Sequence, residues 1–163
     1  MSVSIREYRD NDQELFRRFI EKLQDFVVTT DPIKRIRKLL GFGEVALKRS
    51  LKNLKEKNGK IYFAVDNEKV IGYVFGFVLD KQTEDNLLEV EPTQVGQIDD
   101  LYVDEEYRGK GIGKILIQKM EEYLKEQGCD SVWLEVFAPN KYAHDSYLKL
   151  GYMDREIGML KKI

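Results

Sequence analysis

The chain has one cysteine, Cys129, one histidine, His144, and three prolines among 163 residues. A lone cysteine excludes an internal disulfide, and Cys129 reads as a small apolar packing residue rather than a reactive thiol. A lone histidine cannot make a metal site, and nothing in the local sequence orients a Cys129–His144 pair for thiol catalysis. No metal is expected. No apolar run approaches the roughly 18 residues of a membrane span, and the opening MSVSIREYRDND lacks the apolar segment of a secretory signal. A cytoplasmic location without membrane contact is expected. Nor does one sign of charge dominate: the net charge is −2, which argues against a dedicated nucleic-acid binder.

What is present suits one domain spanning residues 1–163, long enough for a single substantial core. The charges are unevenly spread. Lys34 to Lys60 is strongly basic, with only Glu44 and Glu56 opposing, whereas Asp80 to Glu106 is strongly acidic, with only Lys81 opposing. Either run can be a solvated face, and the acidic one can also form a rim that draws in a cationic amine.

Periodicity gives a strand over Val3 to Tyr8 and a helix from Asp12 to Val28, broken at Asp31-Pro32. A short helix is expected over Ile33 to Leu40 and another over Glu44 to Lys57, ended by Asn58-Gly59. Strands Lys60 to Val65 and Val70 to Leu79 flank the hairpin signal Asp66-Asn67-Glu68-Lys69. In the second, Ile71, Tyr73, Phe75, Phe77 and Leu79 share one face, while Val70, Gly72, Val74, Gly76 and Val78 form a small face suited to a close helix. An acidic loop follows from Lys81 to Pro92, then a strand Val95 to Val103 and a helix reaching Gln127. A strand Ser131 to Phe137, a helix Lys141 to Leu150 and a last strand Tyr152 to Lys161 complete the order. Strands in a meander followed by alternating helices and strands imply a mixed α/β sheet with helices on both faces.

The most informative stretch is IDDLYVDEEYRGKGIG, Ile98 to Gly113, where a strand passes through a glycine-rich turn into an amphipathic helix. The first N–H groups of such a helix lack intrahelical partners and, with the helix dipole, attract anions. Gly109, Gly111 and Gly113 let a ligand approach the backbone, and Arg108 and Lys110 add positive charge. A Walker phosphate loop is excluded because Gly113-Lys114 is followed by Ile115, not Ser or Thr. A dinucleotide fingerprint is excluded by the glycine spacing.

Arg108-x-x-Gly111-x-Gly113 resembles the Arg/Gln-x-x-Gly-x-Gly/Ala motif of the GNAT superfamily of N-acetyltransferases. LEVFAPNKYAHDSYLKLGY, Leu134 to Tyr152, resembles the next block of that family, with Asn140, Ala143, Tyr147 and Gly151 at its spacing. The resemblance implies a mixed, mostly antiparallel sheet of six to seven strands flanked by helices. The fourth and fifth strands would splay to hold the pantetheine arm of acetyl-CoA, between Val95–Val103 and Ser131–Phe137. Pro139 lacks an N–H and would help stop further pairing there.

The same resemblance implies transfer of an acetyl group from acetyl-CoA to a primary amine by direct attack in a ternary complex. It places the pyrophosphate at Arg108, Gly109, Lys110, Gly111, Ile112 and Gly113, and pantetheine contacts at Leu101, Tyr102, Val103, Asn140 and Tyr147. A lysine-like amine, of pKa about 10.4, is neutral in only about one molecule in a few thousand at pH 7, so a base is needed. Asp99 holds the family's acidic position, with Glu135, Glu89 and Glu91 as further candidates. Asp100 is expected on the opposite face by the two-residue strand period. The backbone at Leu101 would stabilise the oxyanion, and Tyr147 would meet the departing thiolate. Asn140 can equally cap the following helix. The acceptor is expected to be a small cationic amine or polyamine. The alternatives are a protein N-terminus or lysine and, as another class, a non-catalytic acetyl-CoA-binding regulatory module. The ending GYMDREIGMLKKI suits a homodimer joined through C-terminal strands, which the resemblance also implies.

Overall fold

Alternating side chains and two amphipathic helical layers meet on one sheet. The computed structural model describes residues 2–161 and 163. Its five strands are β1 (Val3–Glu7), β2 (Lys60–Asp66), β3 (Lys69–Val78), β4 (Val95–Val103) and β5 (Ser131–Leu134), in the spatial order of the chain. The helices are α1 (Gln13–Thr30), α2 (Phe42–Glu56), α3 (Ile112–Glu126) and α4 (Lys141–Lys149). The first four strands pair antiparallel, and β5 pairs parallel with β4 after the chain crosses through α3. No described helix is long and apolar enough to cross a membrane.

The hairpin between β2 and β3 closes with Asn67 and Glu68, both at positive φ, between paired Asp66 and Lys69. On one face of the sheet Phe63, Tyr73, Phe75 and Phe77 pack against Phe16, Phe19 and Ile20 of α1 and Ala46 of α2. On the other, Ala64, Val74 and Ile98 pack against Ile112, Leu116, Ile117, Met120 and Leu124 of α3. A bulge leaves Ile71 without a partner on β2, since Ala64 faces Gly72 and Val65 faces Val70. The extra residue reverses the expected faces there, so Ile71 joins the α3 layer and Val70 the aromatic layer.

The small face does receive a close helix. A Cβ at Gly76 would stand 2.7 Å from the Gln97 carbonyl oxygen and 2.9 Å from Met120 Sδ, and one at Gly96 would stand 2.7 Å from Leu124 Cδ1.

Three expectations need correction. The sheet has five described strands rather than six to seven, because Tyr152 to Lys161 forms no strand and leaves Met153, Ile157 and Met159 exposed. Alternating apolar residues make a strand only beside an edge that accepts them. Here the segment is tied instead to α4, through His144 Nε2 and Asp154 Oδ1 at 2.7 Å, and to α3, through the Tyr152 hydroxyl donating to Glu121 at 2.7 Å. Ile33 to Leu40 is not helical. The buried Asp31 carboxylate accepts the N–H groups of Ile33, Arg35 and Ile36, which competes with helical bonding. Finally, β5 stops at Leu134 rather than Phe137.

Gly76→Ala is expected to destabilise the fold by about 1–3 kcal/mol through overpacking, although alanine is ordinarily the better strand residue. Urea denaturation showing equal or higher stability would refute this account of α3 packing.

Candidate active site

Pairing between β4 and β5 begins at Val95–Ser131 and ends at Ile98–Leu134, while β4 runs on to Val103. The alternate backbone groups of Asp99–Val103 that would face a fifth strand therefore have none. A cavity of about 970 Å³ opens at this parting. Its walls come from both layers: Phe26, Phe42, Ala46 and Ser50 from α1 and α2, and Gly111, Gly113 and Tyr147 from the α3 and α4 side. The opening therefore passes from one face of the sheet to the other.

On one face of the sheet lies the start of α3. Gly109 and Gly111 have φ of +77° and +79°, and Gly111 caps the helix without any side-chain bond. The first backbone bond of the helix runs from Ile115 N–H to the Gly111 carbonyl at 3.2 Å, which leaves the preceding N–H groups of the first turn without helical acceptors. A Cβ at Gly113 would touch only Leu101 Cδ2, at 3.8 Å, so bare backbone faces the cavity. No acidic residue stands in the first turn, and Lys114 lines the wall.

Arg108 also lines the cavity, but its Nε donates to the Val103 carbonyl at 3.0 Å and its guanidinium lies over the rings of Phe26 and Tyr102. It ties the turn to the end of β4. Lys110 does not line the cavity, because its ammonium turns back to the Glu106 carbonyl at 2.8 Å. Leu101, Tyr102, Val103, Gly109 and Ile112 all line it. Asn140 caps α4, its Oδ1 accepting the Ala143 N–H at 3.3 Å, and it also reaches the cavity wall. Tyr147 is half-buried about two turns further along the same side of α4, its ring edge-on to Tyr152, and burial pushes its phenol pKa up.

On the other face, beside Tyr73 of the aromatic layer, stand two carboxylates. Phe75 pairs with Asp100 and Gly76 with Ile98, so Asp99 is an extra residue in a bulge of β4. The bulge breaks the strand period, and both Asp99 and Asp100 line the cavity. This corrects the expectation that Asp100 points away. Tyr73 Oη, wholly buried in the aromatic layer, donates to Asp100 Oδ2 at 3.0 Å. Burial, reinforced by the charge of Asp99, pushes the Asp100 pKa up to about 7, against the opposing effects of Tyr73 and Arg49. Asp99 is open to solvent on one side and receives the Gln97 amide at 2.9 Å. Desolvation by the cavity wall raises its pKa, with Arg49 countering and Glu135 adding to the rise. Glu135 lines the cavity, whereas Glu89 and Glu91 lie on the exposed loop after β3 and do not.

The profile of the Acetyltransferase (GNAT) family matches residues 13–152. The chain belongs to the GNAT acetyltransferases. It is 30% identical over 162 residues to a thialysine N-epsilon-acetyltransferase of Sus scrofa, covering 94% of this chain and 85% of that one. An uncharacterized N-acetyltransferase of Methanocaldococcus jannaschii is 40% identical over 68 residues, which are 42% of this chain and only 30% of that protein. A crystal structure of a Bacillus halodurans protein superposes with a TM-score of 0.83 at 24% identity, covering 98% of this chain and 99% of that one. An aminoglycoside N-acetyltransferase in complex with CoA gives 0.75 at 14% identity, covering 99% and 95%. Such neighbours show the fold, and the family shows an acyltransferase that uses acetyl-CoA.

Sequence reasoning missed the wall contributed by α1 and α2, although its spacing was legible: Ile20, Leu23, Gln24 and Val27, then Phe42, Ala46, Arg49 and Ser50, each form one helical stripe. Lys114 was also passed over. Asp100 could not be placed by counting, because the bulge carries no local signal in the sequence.

The high pKa of Asp100 has a measurable cost. A carboxyl whose folded pKa exceeds its unfolded value of about 3.9 favours the fold most below that value, and this contribution is lost as pH rises through the folded pKa near 7. Asp100→Asn is therefore expected to raise the melting temperature more at pH 8 than at pH 5. An equal or reversed effect at the two pH values would contradict the burial of this charge.

Proposed function

We propose that this GNAT enzyme moves the acetyl group of acetyl-CoA onto a primary amine of a small cationic molecule, by direct attack within a ternary complex. The observation that carries the reading is the cavity through the parted sheet, with an uncapped helix N-terminus on one face and carboxylates on the other. The donor end suits a diphosphate: open N–H groups, positive φ at Gly109 and Gly111, Lys114 on the wall, and a space at Gly113 that any side chain would fill. The acceptor end suits a cation, since Asp99, Asp100 and Glu135 outnumber Arg49 there. The names of the relatives point the same way, because thialysine and aminoglycosides are amine-bearing small molecules.

Acetyl-CoA, when bound, supplies an acyl carbon activated by its thioester. Arg108, Gly109, Gly111, Ile112 and Gly113 hold the diphosphate through the turn, with Lys110 contributing its backbone. Leu101 and Val103 offer the open edge of β4 to the pantetheine amides, Tyr102 lines the same wall, and Asn140 meets them from α4 with its side-chain amide nitrogen. Asp99 accepts the proton of the acceptor's ammonium, directly or through one water, since aspartate is a short side chain. The backbone at Leu101 faces the developing oxyanion. Tyr147 lies across the cavity as the hydrogen-bond donor to the departing thiolate; its raised pKa keeps it protonated at neutral pH.

Two variants test the cofactor side. Gly113→Val is expected to weaken CoA binding at least about tenfold by calorimetry while leaving the melting temperature unchanged, because the added methyls enter open space. Undiminished affinity would place the diphosphate elsewhere. Tyr147→Phe is expected to slow turnover at least about tenfold with little change in CoA affinity, as losing a hydrogen bond to the developing thiolate charge requires. The assay is CoA release over a panel of polyamines, aminoglycosides, diamino acids and peptides. Transfer only to peptides would favour a protein substrate, and tight CoA binding with no transfer would favour a regulatory module.

A further inference from the structure

We propose that Asp99 and Asp100 handle the acceptor's proton as a pair: Asp99 meets the ammonium and receives its proton, and Asp100, positioned by Tyr73, holds it. The inference rests on the acetyl-transfer reading of the site and assigns a role to two residues, Asp100 and Tyr73, that the family motif does not mark. Its foundation is the bulge. Without the extra residue, neighbours on a strand face opposite sides of the sheet; with it, both carboxylates turn to one cavity. Two carboxylates on one wall cannot both ionise freely, and the one whose environment is drier keeps the proton.

The surroundings decide which one that is. Tyr73 holds Asp100 from β3 at 3.0 Å and is itself locked among Phe16 and Phe19, with ring centroids at 5.4 and 5.7 Å. Asp99 stands nearer the solvent and is bonded to Gln97. The charges acting on the pair are Arg49 from α2 and Glu135 beyond β5. The cavity residues of α1 are uncharged, and the remaining cations on the wall, Arg108, Lys114 and Lys149, come from the turn, α3 and α4. Asp100 therefore has a proton affinity matched to neutral pH, where a general base is most effective.

The step balances. The ammonium yields one proton to the pair, and the freed nitrogen lone pair forms the N–C bond to the acyl carbon. The C–S bond then breaks, the second nitrogen proton goes to the thiolate sulfur, and the pair returns its proton to solvent before the next turnover.

The test combines carbon NMR titration of the two aspartate carboxyls, in the full-length protein without ligands, with pH profiles of kcat/KM for the best amine of the panel. The titration should show one carboxyl ionising near neutrality. Asp99→Asn should lower that step by removing a neighbouring charge. Tyr73→Phe should raise it, and with it the acid limb of kcat/KM, by about one unit, because a hydrogen bond to the ionised form is lost. Asp100→Asn should abolish the step and lower kcat at least about a hundredfold, with the KM for acetyl-CoA unchanged. The proposal is overturned if both carboxyls titrate below pH 5, if Asp99→Asn leaves the upper step in place, or if Asp100→Asn keeps the wild-type pH profile. Failure of the wild type to acetylate any amine would instead remove the acetyl-transfer reading, with the titration still deciding whether the carboxyls are coupled.

Discussion

A parallel pair of strands that separates after Ile98 and Leu134 leaves backbone hydrogen-bonding groups facing an opening rather than a neighbour. Such groups are costly to bury without partners, and the chain keeps them at a cavity where water or a ligand can meet them. The rest of the molecule accommodates that opening. The glycines of β3 and β4 draw α3 down onto the sheet, which brings its uncapped N-terminus level with the gap. The aromatic layer on the other face props α1 and α2 apart from β4 far enough to form the second wall.

The two sides of the cavity carry opposite electrostatic character for different physical reasons. At α3 the positive potential comes from peptide dipoles and costs no buried formal charge. At the bulge the negative potential comes from carboxylates that the fold partly dries, and burial there raises proton affinity instead of stabilising charge. An anion is thus favoured on one side of the opening and a cation on the other, with the parted edge of β4 in the same wall.

Most of this was legible in the sequence because it rests on local patterns. The glycine turn, the helix that follows it and the edges of β4 were readable from spacing, and Val95–Val103 was bounded correctly. What could not be read depends on partners distant in the chain. The bulges at Ile71 and Asp99 are set by register against β2 and β3, and no period within a strand reveals them. The segment Ile33–Leu40 has helical spacing, yet one carboxylate diverts its N–H groups. The final residues alternate like a strand, but no described edge takes them up.

Asp31 has a consequence for the cavity wall that α1 and α2 form. With three backbone N–H groups gathered on a side chain only 3% exposed, the connection from α1 to α2 behaves as a strut rather than a tether. Together with the Gln24 amide donating to the Arg37 carbonyl and the Lys38–Asp25 ion pair, that carboxylate sets how the connection lies against α1, and so the girth of the opening between these helices and β4. Leu39 and Leu40, which point outward from the same strut, are free to drift in sequence without altering that girth.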